Sequence, residues 1–129
     1  MIKLRIIKVN QENFKIAIEN NIWGRKRSGF KDWEIGDYLL FVVNDEALGL
    51  AKVSGKPFVS QDIYWEDELY PNRIPIKTIK NFNAGKGISY LERVKPILKD
   101  EWGNKYSWQI LTQQYMAGKN AEKILGLLK

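Results

Sequence analysis

The sequence predicts an α+β domain spanning residues 1–129, a small and mostly antiparallel β-barrel flanked by helices. Three observations carry this. Four or five short runs rich in Ile, Val, Leu and Tyr are separated by turn residues. A helical pattern crosses over directly after the first run, and a second amphipathic pattern closes the chain. An open α+β sandwich satisfies the same order of elements and stands as the alternative.

The elements follow in order. Residues 3–9 alternate loosely and are rich in Ile, the pattern of a strand. Asn10 opens NQENFKIAIENN as an N-cap, with Asn13 near the third helical position and Phe14, Ala17 and Ile18 at helical spacing. This helix ends at Asn20-Asn21, immediately before Trp23. Gly36-Asp37 turns the chain into a strand over Tyr38–Val43. Asn44-Asp45 then makes a tight turn into a strand over residues 47–54, where Gly49 marks a bulge or a close approach. A long connection over residues 55–70 carries four aromatics. Pro75 confines the next strand, residues 73–79, to an edge or a bulge. NFNAGKG is a loop, residues 88–94 form a short helix interrupted by Pro96, and DEWGNKYSW is polar loop and turn. In NAEKILGLLK, an amphipathic helix turns Ile124, Leu125 and Leu128 to the core. Because alternate strand residues share a face, Leu40, Val42, Leu50, Ile74 and Ile76 point inward.

Composition narrows the function classes. A 129-residue chain that is 44% hydrophobic and 28% charged is globular and can bury its own core. Its net charge of +6 favours a polyanionic partner. The sequence has no cysteine, which excludes disulfides and thiolate metal sites. It has no histidine, so Ser–His and Cys–His catalysis are excluded as well. No cofactor or resident metal is expected. MIKLRIIKVN lacks the apolar stretch of a signal peptide, and no segment is apolar enough for a membrane helix; a cytoplasmic monomer is expected.

Five tryptophans are many for this length, and base stacking is one use for surplus rings. NNIWGRKRSGFKDW sets Trp23 beside Gly24 and a basic run. Either the ring plugs the end of the barrel from a loop, or it stacks on a flat anionic ligand while Arg25, Lys26 and Arg27 contact the backbone. Trp33, before the Gly36-Asp37 turn, reads as core. IYWEDELYPNR interleaves Tyr64, Trp65, Tyr70 and Arg73 with Asp62, Glu66, Asp67 and Glu68; these acids read as a solvated loop, a hard-cation site, or acceptors for an exocyclic amine. Gly85-Lys86-Gly87 lacks the length and the following Ser/Thr of a phosphate loop and reads as a turn.

NNIWG, GDYLLFVV, ALGLAKVSGKPFVSQDIYW, YPNRIPIK and a late YSW occur in the order found in EVE domains. Over almost its whole length the chain resembles these PUA-like modules, which are related to the YTH readers of methylated RNA. The short archaeal EVE proteins are the nearest in pattern, and the recognition modules of modification-dependent restriction enzymes are more distant. The resemblance implies a barrel with a pocket for a modified base turned out of its strand. Trp23 would supply one wall and Trp65 the second, with Ser107 and Trp108 beside them. Gly24 follows Trp23 where YTH domains carry serine, and their SRDGQE-like segment is absent, so the base they read does not carry over.

The expected function is therefore a non-enzymatic reader that seats a flipped, methylated base of DNA or RNA in an aromatic pocket. Asn20, Asn21 and Ser107 are candidate donors or acceptors, Gly24 admits the ligand to the backbone, and Arg25, Lys26, Arg27 and Arg73 meet phosphates. On this reading Trp23→Ala and Trp65→Ala weaken binding and leave the fold intact, with Trp33→Ala as the core control. The competing classes are a carboxylate-dependent hydrolase of a nucleotide or modified base using Asp62, Glu66 or Asp67, an RNA-binding accessory of an RNA modification system, and a structural adaptor.

Overall fold

An unbroken apolar run such as YLLFVV has no polar face to offer water, so it must be covered on both sides. The computed structural model, which describes residues 2–128, builds the fold around that requirement. Its strands are β1 (Lys3–Lys8), β2 (Ile22–Arg25), β3 (Tyr38–Val43), β4 (Glu46–Val53), β5 (Phe58–Val59), β6 (Asn72–Asn81), β7 (Ile88–Ser89) and β8 (Tyr115–Ala117). The helices are α1 (Gln11–Asn20), α2 (Lys95–Trp102), α3 (Tyr106–Leu111) and α4 (Lys119–Leu127). Hydrogen-bonded neighbours run β2-β6-β4-β3-β1-β8, with β5 added to β6 and β7 to β4, in a mixed sheet curled into a half-barrel. β1 and β3 pair in parallel through the crossover that contains α1, and the other pairings are antiparallel.

β3 lies inside this sheet and splits its residues between two cores. Leu39, Phe41 and Val43 join Trp23, Trp33, Ile74 and Ile76 in the hollow of the half-barrel, which α1 closes with Phe14 and Ala17. Leu40, Val42 and Leu50 face the other way, onto Val94, Leu98, Ile110 and Ile124 of the later helices. All five residues expected to point inward are buried. They do not share one face, because the sheet is covered on both sides.

Local signals explain most boundaries. Asn10 caps α1 by accepting from the Asn13 amide at 2.8 Å, and Asn21 ends the helix in the left-handed conformation. Asn44 and Asp45 both have positive φ, as a two-residue hairpin turn of the primed type requires. Opposite the break in β3–β4 register, a Cβ on Gly49 would lie 2.7 Å from the Phe14 ring, so glycine lets α1 close on the sheet. Pro75 does not make β6 an edge strand. It sits where β6 passes from pairing with β2 to pairing with β4, a point that needs no ladder donor.

Four segments depart from the expectations. Trp23 lies in a strand rather than a loop, since β2 pairs Trp23 with Ile74 and Gly24 with Arg73. Pro96 begins a helix instead of interrupting one. Its missing N–H is tolerated in a first turn, and just before it the ladder widens to a π turn, closed by the Lys95 amide on the Tyr90 carbonyl. DEWGNKYSW is mostly helical: α2 runs to Trp102, a 3₁₀ turn follows, and α3 begins at Tyr106. At the C-terminal end Ile124 and Leu128 are buried, while Leu125 is only half-buried.

Candidate nucleic-acid interface

β1 ends, α1 begins and β2 ends at one end of the half-barrel, and these three points surround a cavity of about 380 Å³. Lys8, Val9, Asn10 and Asn13 form one side, residues 23–28 the second, Trp65, Asp67 and Tyr70 the third, and Leu111 and Gln113 the fourth. That volume lies toward the lower end of the roughly 300–1,000 Å³ usual for small-molecule pockets.

Trp23 is held by edge contact with Phe41 at 5.5 Å, and its indole N–H donates to Gln113 Oε1 at 3.4 Å. Trp65 comes from the connection before β6. Its indole N–H donates to the Asn13 carbonyl at 3.2 Å, and its ring meets Tyr70 edge-on at 5.5 Å. Exposure is 8% for Trp23, 1% for Trp65 and 8% for the core control Trp33. The first two rings are thus as buried as the third, and the expectation that the fold tolerates their loss does not hold. They form the floor of the cavity, not free-standing walls.

The Cβ side of Gly24 is taken by protein, not ligand. A Cβ there would stand 2.7 and 2.8 Å from Cζ3 and Cη2 of Trp65 and 2.9 Å from Cβ of Tyr70. Glycine is what allows Trp65 to lie against β2. Gly24→Ala is therefore expected to lower stability by about 1–3 kcal/mol, the usual range for overpacking. A urea midpoint equal to the parent's would show that Trp65 and Tyr70 step aside freely.

Arg73 is not a phosphate contact. Its buried guanidinium donates from Nε to the Tyr70 carbonyl at 3.1 Å and from Nη2 to the carbonyls of Leu69, at 3.3 Å, and Asp62. It also lies over Tyr64 and Trp65 at 5.0 and 5.6 Å. Arg73 thus folds the connection that carries Trp65. Arg25 reaches the cavity but is half-buried, stacked over Phe30 and Trp33 and bonded to the Gly29 carbonyl at 2.9 Å. Burial, then the nearby Arg5 charge, lowers its pKa. Lys26 and Arg27 are exposed at the lip. Lys26 pairs with Glu68 at 3.2 Å, and Arg27 has no ion pair among the described residues.

Asn20 and Asn21 lie at the wrong end of α1. The Asn20 side chain donates back to the Ile16 carbonyl, and Asn21 is the C-cap. Asn13, one helix length away, takes the place proposed for them. Its backbone serves the cap, which frees a buried side chain to donate from Nδ2 to Asp67 Oδ2 at 3.0 Å. The Tyr70 hydroxyl donates to the same oxygen at 2.9 Å. Burial would raise the Asp67 carboxyl, but these two hydrogen bonds and local backbone amides outweigh it and hold the group below the ordinary carboxylate value. Burial, followed by the bond to Asp67, pushes the Tyr70 phenol up to about 12, so it stays a donor. Asp62 and Glu66 are exposed and do not line the cavity, and no group of three acids among the described residues gathers to hold a metal. Ser107 lines an adjoining hollow, and Trp108 is exposed on α3.

No protein-family model and no curated protein matches the sequence. Solved structures do match. The YTH domain of the Zygosaccharomyces rouxii MRB1 protein, in complex with N6-methyladenosine RNA, superposes with a TM-score of 0.69 at 21% identity, covering 99% of this chain and 87% of that one. The fold is YTH-like. The Pho92 YTH domain in complex with m6A gives 0.69 at 19% identity, covering 99% and 86%. A more distant match is protein Atu2648 from Agrobacterium tumefaciens, with a TM-score of 0.54 and 13% identity over 98% of this chain and 90% of that one.

Proposed function

We propose that the chain is a YTH-like reader of RNA that seats a flipped, methylated base in the cavity floored by Trp23 and Trp65. One observation carries this reading. Two acceptor-bearing side chains, Asn13 and Asp67, stand beside two indoles in one cavity, whose lip is Lys8, Lys26 and Arg27. A methylated exocyclic amine keeps one N–H, and Asn13 Oδ1, which accepts from no protein group among the described residues, suits it. The neighbours solved with N6-methyladenosine RNA and with m6A support the same polymer and modification. The order of NNIWG, GDYLLFVV and YPNRIPIK supports the EVE branch of this fold, with Gly24 where YTH domains carry serine.

The energetics are consistent with a modest, salt-sensitive reader. Unstacking a base takes a few kcal/mol, aromatic contact returns about 1–3 kcal/mol, and the lip adds phosphate contacts. One buried methyl contributes about 0.8 kcal/mol, roughly fourfold in affinity. The hydrolase alternative needs a carboxyl placed at the ligand as acid or base. Of its three candidates only Asp67 reaches the cavity, and its carboxylate is already engaged by Asn13 and Tyr70.

Fluorescence anisotropy on single-stranded RNA with and without one N6-methyladenosine tests the proposal. The methylated strand is expected to bind more tightly, with log K falling linearly as log salt rises. Lys26→Glu with Arg27→Glu should weaken both strands alike and flatten that slope. Asn13→Ala, which leaves the cap's backbone donor in place, should erase the preference for the methylated strand. Equal binding of the two strands by the parent protein would overturn the reading.

A further inference from the structure

We infer that the hollow beside α3 is a second nucleotide subsite, taking the base next to the flipped one in the same RNA strand; this rests on the chain being a reader. The hollow has a volume of about 250 Å³ and is lined by Lys8, Ser107, Ile110, Leu111 and Gln113. Lys8, Leu111 and Gln113 also line the base cavity. The two spaces therefore share a wall, which puts the second within reach of the nucleotide next to one whose base fills the first.

α3 is built to present this surface. Ile110 is buried in the helix-side core and anchors the helix. Ser107 and Leu111, three before and one after it, face the hollow, and Trp108 lies beside Leu111 at the i, i+3 spacing that makes helical neighbours. Trp108 is 62% exposed and Leu111 73% exposed, on a helix whose last turn is tied down by the Thr112 hydroxyl on the Trp108 carbonyl at 3.0 Å. A single exposed apolar residue needs no explanation. Trp108, next to the Leu111 that lines a lysine-bearing hollow, offers an exposed stacking face with a phosphate contact alongside, the combination that binds single strands irrespective of sequence. Lys8, exposed between the two spaces and over the Tyr90 ring at 4.5 Å, is placed for the phosphate that joins the two nucleotides. The reader's grip on a strand is then divided: the first cavity selects the modified base, and α3 holds its neighbour whatever that base is.

The test compares N6-methyladenosine nucleoside, a short RNA with one central N6-methyladenosine, and two versions of that RNA made abasic at the 5′ or the 3′ neighbour. Trp108→Ala is expected to weaken the intact RNA roughly five- to 150-fold, the range for loss of one stacking contact. It should leave nucleoside binding and the thermal midpoint unchanged, and Trp108→Phe should restore most of the loss. With one of the two abasic RNAs the variant and the parent should bind alike. The subsite is overturned if Trp108→Ala binds the intact RNA as the parent does, or if its defect persists on both abasic RNAs. Failure of the parent to bind the nucleoside would remove the reader itself, and the subsite with it; nucleoside binding with an inert Trp108 removes the subsite alone.

Discussion

Trp65→Ala is expected to lower stability by about 3–5 kcal/mol, the range for truncating a large buried aromatic, and to abolish discrimination of the methylated strand. The ring is enclosed by Gly24, Tyr64, Tyr70 and the Arg73 guanidinium. Removing it leaves a void under the cavity floor, strands the Asn13 carbonyl without its indole donor, and uncovers one face of Arg73. Denaturant unfolding gives the first quantity and anisotropy on methylated RNA the second. Trp65→Phe separates the two roles, because it refills most of the void while deleting the N–H that fixes Asn13. A Phe variant with near-parent stability and weakened methyl discrimination would show that the hydrogen bond aims Asn13. Parent-like stability of the Ala variant would mean that the surrounding loop collapses onto the gap, contrary to the packing described.

The second large effect lies between β1 and the turn that leads into β3. Arg5 and Asp37 form a buried ion pair at 2.8 Å, with Arg5 also donating to the carbonyls of Gln113 and Asp32 and stacked 4.3 Å over Trp33. Removing one partner of a buried pair leaves an uncompensated charge, which destabilises by about 3–5 kcal/mol. Asp37→Ala should therefore cost that much in denaturant unfolding and also release the Glu34 amide that Asp37 accepts at 2.9 Å. The double variant Arg5→Met, Asp37→Leu removes both charges and should recover most of the loss. Recovery in the double variant with persistent weakness in RNA binding would separate charge burial from the second duty of Arg5, which is to hold the Gln113 backbone where its side chain meets Trp23.

What was legible in the sequence is what short-range chemistry writes there. Asn10 and Asn21 bracket α1, Asn44-Asp45 turns β3 into β4, and YLLFVV can only be an inner strand. β2 was hidden because four residues containing a glycine and an arginine show no alternation, and only its partner β6 makes it a strand. α3 was hidden by Gly103 and the polar residues around it. At the site, Trp23, Gly24, the 25–27 run and Trp65 do converge, since aromatic and basic residues announce themselves. Asn13, Tyr70 and Gln113 do not. Each is an ordinary residue whose importance comes from a partner far along the chain, and Asn13 was already accounted for by its place in a cap. Arg73 misled for the opposite reason: a basic residue beside aromatics reads as a ligand contact, yet its guanidinium is buried and donates to three carbonyls of its own chain.

The pairing of Lys3 with Ala117 across β1 and β8 has a consequence in time. Contacts so distant in sequence are made late, because the loop-closure entropy must be overcome before they contribute anything. Gln113, which receives the Trp23 indole and completes the fourth wall of the cavity, lies two residues before β8 and is held to β1 through Arg5. A ribosome-bound chain that has already paired β3, β4 and β6 therefore still has an open-sided trough where the finished molecule has a cavity. The fourth wall of the cavity thus arrives with the last strand.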